Sequence, residues 1–227
     1  MRAPRVSPGI LQAYKYVSVP NVCDALDRLG VGGAPRDIVQ TWPMSRKLVG
    51  PACTMKLVPL GAPSTDSPVL GTLRAIMAGH QGDVLVIDFG GNRDVNSMGG
   101  VAGATAVHHG MVGCVSDGVV RDIDEYKMLD FPVYARGPIQ SSIRNRCGFA
   151  GLDIEVKLNG VRVRPGDLIF GDESGVLVVP QERLEDVLRL AQQLKGIEDS
   201  VIAAVRRGED PVKAHEAVRY DSMTGKA

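Results

Sequence analysis

In VPNVCDALDRLG, Val19 to Gly30, the apolar residues Val22, Ala25, Leu26 and Leu29 recur at the three-and-four spacing of one helix face. Asn21 is the candidate N-cap and Gly30 the stop signal. From Leu48, LVGPACTMKLVP changes to a strand pattern, and SPVLGTLRAIMAGH returns to helical spacing that ends around Gly79. QGDVLVIDFGG then sets a polar turn before a β-branched run apolar on both faces, which predicts a covered strand. GATAVHHG predicts a small-residue helix closed by Gly110, and MVGCVSDG a second covered strand. Strand, helix and strand in this short span imply a crossover between parallel strands, hence a layered α/β core.

Farther on, IEVKLNGVRVRPGD alternates on either side of Asn159-Gly160, as a two-residue type I′ hairpin turn demands. GVLVVP adds a strand. Over residues 181–206 a long helix is expected, with Leu184, Val187, Leu188, Ala191, Leu194, Ile197, Val201, Ile202 and Val205 along one stripe. Gly196 inside it costs about 1 kcal/mol against alanine. This helix packs on its own domain or on a neighbouring subunit, and a polar tail, AHEAVRYDSMTGKA, follows it.

No Ser/Gly-rich linker, repeat or composition shift divides the 227 residues, so one domain, 1–227, is the simpler reading. With 44% hydrophobic and 23% charged residues the chain has the composition of a folded globule. Its 26 Lys plus Arg balance 26 Asp plus Glu, which lacks the basic excess of a nucleic-acid binder, and 4% aromatics leave few platforms for bases. Cys23, Cys53, Cys114 and Cys147 are too dispersed for a zinc site and read as free thiols of a reducing cytosol. MRAPRVSPGILQAYKYV has no signal-peptide core, and no apolar run approaches the ~20 residues of a membrane span. A cytoplasmic protein without membrane or nucleic-acid partners is expected.

Arg121 and Asp122 stand side by side where the apolar run of VSDGVVRDID stops. Adjacent side chains share a site only once a strand has ended and the backbone is turning, and ligands of α/β sheets sit at the carboxyl ends of strands. Arginine matches a carboxylate bidentately, and aspartate offers hard oxygens to Mg²⁺ or Mn²⁺. An ordinary surface ion pair, with Asp124 or Glu125, is the competing reading. In SMGGVAGATA a loop enters a helix whose first amides have no internal acceptor, so Gly99 and Gly100 mark either an anion cradle or a tight turn. Arg93-Asp94, His108, His109, Asp117, Ser64 and Ser67 are weaker polar candidates.

The order and spacing of CDALDRLG, VGPACTMK, GDVLVIDFGG, SMGGVAGATA, VSDGVVRDID, FPVYARG and GDLIFGDESGVLVVP resemble the RraA-like family over most of the chain. That family includes the 4-hydroxy-4-methyl-2-oxoglutarate / 4-carboxy-4-hydroxy-2-oxoadipate aldolases and the inhibitors of ribonuclease E. The resemblance implies an α/β/β/α sandwich of the swivelling phosphohistidine-domain type, assembled as trimers that often stack into hexamers. It implies a divalent-metal-dependent lyase, aldolase or oxaloacetate decarboxylase, working on a small 2-oxo acid through a pyruvate enolate. Arg121 would hold the substrate carboxylate and keto oxygen, Asp122 the Mg²⁺ or Mn²⁺, and the amides of Gly99, Gly100, Val101 and Ala102 the rest of the carboxylate. Glu198 of a neighbouring subunit would support metal-bound water.

One residue departs from the pattern. The aldolases carry an acid twenty-one positions before the arginine, and here that residue is Gly100. Decarboxylation, which removes no hydroxyl proton, is therefore expected to persist better than aldol cleavage, unless Asp94, His108 or another group replaces the acid. The alternative is a non-catalytic oligomer that binds protein partners, as the ribonuclease inhibitors do.

Overall fold

The computed structural model describes residues 6–219; residues 1–5 and the end of the polar tail, 220–227, lie outside them. In chain order the elements are α1 (Pro8–Tyr14), α2 (Val19–Arg28), β1 (Val39–Gln40), β2 (Leu48–Pro59), α3 (Pro68–Ala78), β3 (Val84–Asp88), α4 (Gly100–His108), β4 (Gly113–Ser116) and α5 (Ile123–Met128). There follow β5 (Val133–Ala135), β6 (Cys147–Leu152), β7 (Val156–Leu158), β8 (Val161–Val163), β9 (Leu168–Asp172), β10 (Gly175–Val179), a 3-10 turn at Gln181–Arg183, α6 (Leu184–Arg206) and α7 (Pro211–Ala217).

The predicted crossovers hold: β2, β3, β4 and β5 run parallel, in register from Ala52 opposite Val84 and from Val84 opposite Gly113. The long strand β2 turns the sheet. Its first half pairs antiparallel with β9 and its second half with β6, giving the order β1-β5-β4-β3-β2-β9-β10 with β6 beside β2. The sheet curls into a nearly closed, barrel-like wall. Strand alternation then sorts the apolar residues. On β3, Val84 and Val86 face the interior, where they meet Ile169, Val176 and the β7–β8 hairpin, whereas Leu85 and Ile87 join the core under α3, α4 and α5. On the opposite wall Leu168 and Phe170 turn outward to α1, α2 and α6. Helices thus cover both outer faces of the curled sheet.

The hairpin turn is as predicted, with positive φ at both Asn159 (44°) and Gly160 (87°). Three local expectations need correction. Ser18, not Asn21, caps α2, because Pro20 is tolerated only in the first turn and sets the start earlier; Asn21 is the buried third residue of the reciprocal capping box. The stripe of α6 is buried only in part, since Ile202 and Val205 remain 48% and 42% exposed. The first residues of the tail, Ala214–Ala217, end a helix, α7, that is capped by Asp210 and packed through Ala214 on Val201 and Ala204. Among the described residues no helix is long and apolar enough to cross a membrane.

Candidate active site

Beyond their strands, the chains leaving β3 and β4 run side by side. The Ser97 amide donates to the Val119 carbonyl (2.7 Å) and the Arg121 amide to the Met98 carbonyl (3.1 Å), while the Ser97 and Ser116 hydroxyls share a hydrogen bond of 2.8 Å. These bonds carry Arg121 to the start of α4. Asp122 then adopts the left-handed conformation (φ 60°, ψ 45°) that aspartate tolerates better than most residues, and it becomes the N-cap of α5. This turn, placed after the strand has ended, lets two adjacent charged side chains serve one site.

Asp122 Oδ2 accepts a 2.8 Å hydrogen bond from the Gly100 amide, and Arg121 Nε lies 3.4 Å from the same oxygen. That nitrogen is buried and makes no aligned hydrogen bond. Among the described residues Arg121 pairs with Asp122 and not with the alternative partners Asp124 or Glu125; Asp124 pairs with Lys127. At the start of α4 the cap is Gly99, which has no side chain to satisfy the helix; the amides of Val101 and Ala102 find no acceptor among the described residues. A Cβ at Gly99 would stand 2.9 Å from Asp122 Oδ2 and 3.2 Å from Arg121 Nε, so glycine is what allows the pair to approach the turn. Gly103 similarly lets α4 rest on the ring of Tyr126, whose hydroxyl burial pushes upward, keeping it a neutral phenol beneath the site.

Arg121, Asp122 and residues 99–102 line one cleft with an empty volume of ≈ 520 Å³, open mouth included. Its other wall comes from α3 and from Ser142–Arg144. Arg144, at that wall, offers a second guanidinium whose side chain has no partner among the described residues. One carboxylate therefore faces two guanidinium groups and two open amides, an arrangement suited to a small acid with more than one negative charge.

Other candidates lie elsewhere. Asp94 is an exposed loop residue whose amide is tied to Asn92, and His108 is exposed at the far end of α4. The His109 ring bonds to the Gly79 carbonyl, Ser67 caps α3, and Asp117 fixes the amides of Phe89 and Gly91. Glu198 sits on α6, where its Oε2 accepts from Asn21 Nδ2 at 2.6 Å, and it does not line the cleft of its own chain. It also pushes the Asp24 carboxyl up, after burial.

Glu125 does not line the cleft, but it abuts the start of α4, a contact that sequence reasoning missed. A Cβ at Gly100 would stand 2.9 Å from Glu125 Cγ, 3.2 Å from its Cβ and 3.4 Å from Asp122 Cβ, so the stem of Glu125 occupies the space where a side chain at residue 100 would begin. The signal was its place three residues after Asp122, one turn along the same helix face.

The family model described as RraA-like, Aldolase/RraA, matches residues 19–178. Protein DlpA of Legionella pneumophila is 30% identical over 94% of this chain, although the chain spans only 34% of that protein's length. A Halalkalibacterium halodurans protein provisionally named 4-hydroxy-4-methyl-2-oxoglutarate aldolase is 30% identical over 88% of this chain and 91% of its own. An uncharacterized Pseudomonas syringae protein superposes with a TM-score of 0.83 at 27% identity, covering 94% of this chain and all of that one. With the family model matching most of the chain and a relative 30% identical over 88% of it, the chain belongs to the RraA-like family.

Proposed function

We propose that the protein is a divalent-metal-dependent carbon–carbon lyase for a small 2-oxo acid, cleaving substrates of the 4-hydroxy-4-methyl-2-oxoglutarate type and decarboxylating oxaloacetate. The observation that carries this reading is the convergence of Arg121, the open amides of Val101 and Ala102 and the Asp122 carboxylate on one cleft. The swivelling phosphohistidine-domain assignment is supported by helices on both outer faces of the curled sheet, and a cytoplasmic setting by four free cysteines.

The donor set fits Mg²⁺ or Mn²⁺. No group of three His, Cys, Asp or Glu residues among the described ones could enclose an ion, and Mg²⁺ is commonly held by one or two carboxylates with water and substrate supplying the rest. Asp122 would hold it through Oδ1, which has no hydrogen bond among the described residues, while Oδ2 stays on Gly100. Bound there, a divalent cation supplies Lewis-acid stabilisation of charge at the keto oxygen.

The chain's own groups do the remainder. The Val101 and Ala102 amides fix the substrate carboxylate, and the exposed part of the Arg121 guanidinium, held by its buried Nε beside Asp122, meets the negative charge that develops on the keto oxygen as the carbon–carbon bond breaks. Decarboxylation needs no more. Aldol cleavage also requires the substrate hydroxyl to lose its proton, and Glu125, its stem over Gly100 beside Asp122, is the carboxylate assigned to receive it. Glu125→Gln is expected to lower aldol cleavage by about 10²-fold while oxaloacetate decarboxylation changes less than about threefold. Parallel assays of both substrates check this, and equal losses would remove Glu125 from the role.

A homotrimer, or a hexamer of two trimers, is proposed as the working form, with Glu198 reaching a neighbour's cleft. Light scattering is expected to return at least three chain masses. A strict monomer would eliminate Glu198 as a contributor.

A further inference from the structure

A second cleft, with ≈ 790 Å³ of empty volume including its mouth, opens at the carboxyl ends of β2 to β5 under the β7–β8 hairpin. Four neighbouring strands each contribute one charged residue to it: Arg136 follows β5, Asp117 follows β4, Asp88 ends β3, and Lys56 lies opposite Asp88 on β2. Lys157 joins them from the hairpin. Three cations thus face two buried carboxylates.

The carboxylates are already occupied by the protein. Asp88 accepts from the amides of Gly90 (3.1 Å) and Lys157 (3.1 Å) and pairs with Lys56 Nζ at 3.3 Å. Asp117 accepts from the amides of Phe89 (2.6 Å) and Gly91 (3.2 Å). The cations, by contrast, are only partly occupied, even where, as at Lys56, a carboxylate is already paired. The Arg136 side chain is only 9% exposed; its Nε is spent on the Asp117 carbonyl and its Nη1 lies 3.5 Å from the exposed Asp37, but Nη2 has no acceptor among the described residues. Lys157 Nζ has none either, and Lys56 keeps 43% of its side chain exposed. Arg136 Nη2 is not among the buried unpartnered nitrogens, so at the cleft wall it exchanges water for an oxygen acceptor when a ligand enters.

A ligand entering this cleft therefore meets donors, since the acids are turned to the backbone and serve to hold the cations in place. A planar guanidinium edge flanked by two ammonium groups suits a tetrahedral oxyanion, because arginine supplies directed hydrogen bonds and lysine a point charge. From this juxtaposition we propose that the cleft formed by Lys56, Arg136 and Lys157 binds the phosphate group of a small phosphorylated molecule, as a site separate from the Arg121 cleft.

Inorganic phosphate is the probe, titrated calorimetrically into the full-length protein without added metal. Saturable one-to-one binding is expected, weakened about tenfold by Lys157→Ala, which removes an exposed side chain and leaves folding intact. Arg121→Ala should change the phosphate affinity less than about twofold, and in that variant, which lacks the guanidinium of the other cleft, succinate should bind at least about tenfold more weakly than phosphate. Absence of saturable binding, insensitivity to Lys157→Ala, loss with Arg121→Ala, or equal affinity for succinate would each overturn the proposal. None of these readouts depends on the lyase reading.

Discussion

Arg121→Lys is expected to lower kcat/KM by about 10²–10³-fold on both 4-hydroxy-4-methyl-2-oxoglutarate and oxaloacetate, the range found when one positioned donor to a developing oxyanion is lost. Lysine keeps the charge but not the geometry. Arg121 Nε is held 3.4 Å from Asp122 Oδ2 and is buried without an aligned hydrogen bond, so the guanidinium is fixed before the substrate arrives. An ammonium on a flexible stem would bring its charge to the cleft only at an entropic cost and could not span the carboxylate and keto oxygens together. Because the Arg121 backbone amide makes the bond to Met98, the substitution leaves the turn intact, and the melting temperature should hardly move. A variant within about threefold of wild type would show that Arg121 is a structural ion pair.

Asp122→Asn should abolish metal stimulation. The amide is isosteric, tolerates the left-handed conformation at φ 60°, and can still accept from the Gly100 amide, so the start of α4 stays held. What disappears is the negative charge that a divalent ion requires. Activity is expected to fall by at least about 10²-fold, several kcal/mol of transition-state stabilisation, with Mg²⁺ affinity by calorimetry reduced beyond detection. Unchanged Mg²⁺ affinity would place the ion elsewhere.

Much of this was legible before the fold was known, for physical reasons. The parallel core could be read because β3 and β4 are covered on both faces and leave continuous apolar runs, and the hairpin because Asn159-Gly160 has few alternatives to a type I′ turn. The meeting of Arg121 with the glycine turn was only suggested. It depends on the bonds joining residues 97–98 to 119–121, and a backbone ladder between loops has no side-chain signature. Glu125 was hidden for a related reason. Its relation to Gly100 is a contact between two helices, whereas the chain shows only a glycine where the resemblance implied an acid and a glutamate that could as well be solvated. The charge ladder across four strand ends was equally opaque: Lys56, Asp88, Asp117 and Arg136 are far apart in sequence and come together only through the strand order. The start of α2 was misread at Asn21 because Ser18 and Asn21 are both good capping residues, and the choice fell to the proline between them.

The most direct measurement is a crystal structure with Mg²⁺ and oxalate, a stable mimic of the enolate of pyruvate. It should show oxalate on the Val101 and Ala102 amides and the Arg121 guanidinium, with the ion on Asp122. Oxalate found away from the α4 start, or an ion that does not touch Asp122, would contradict the account.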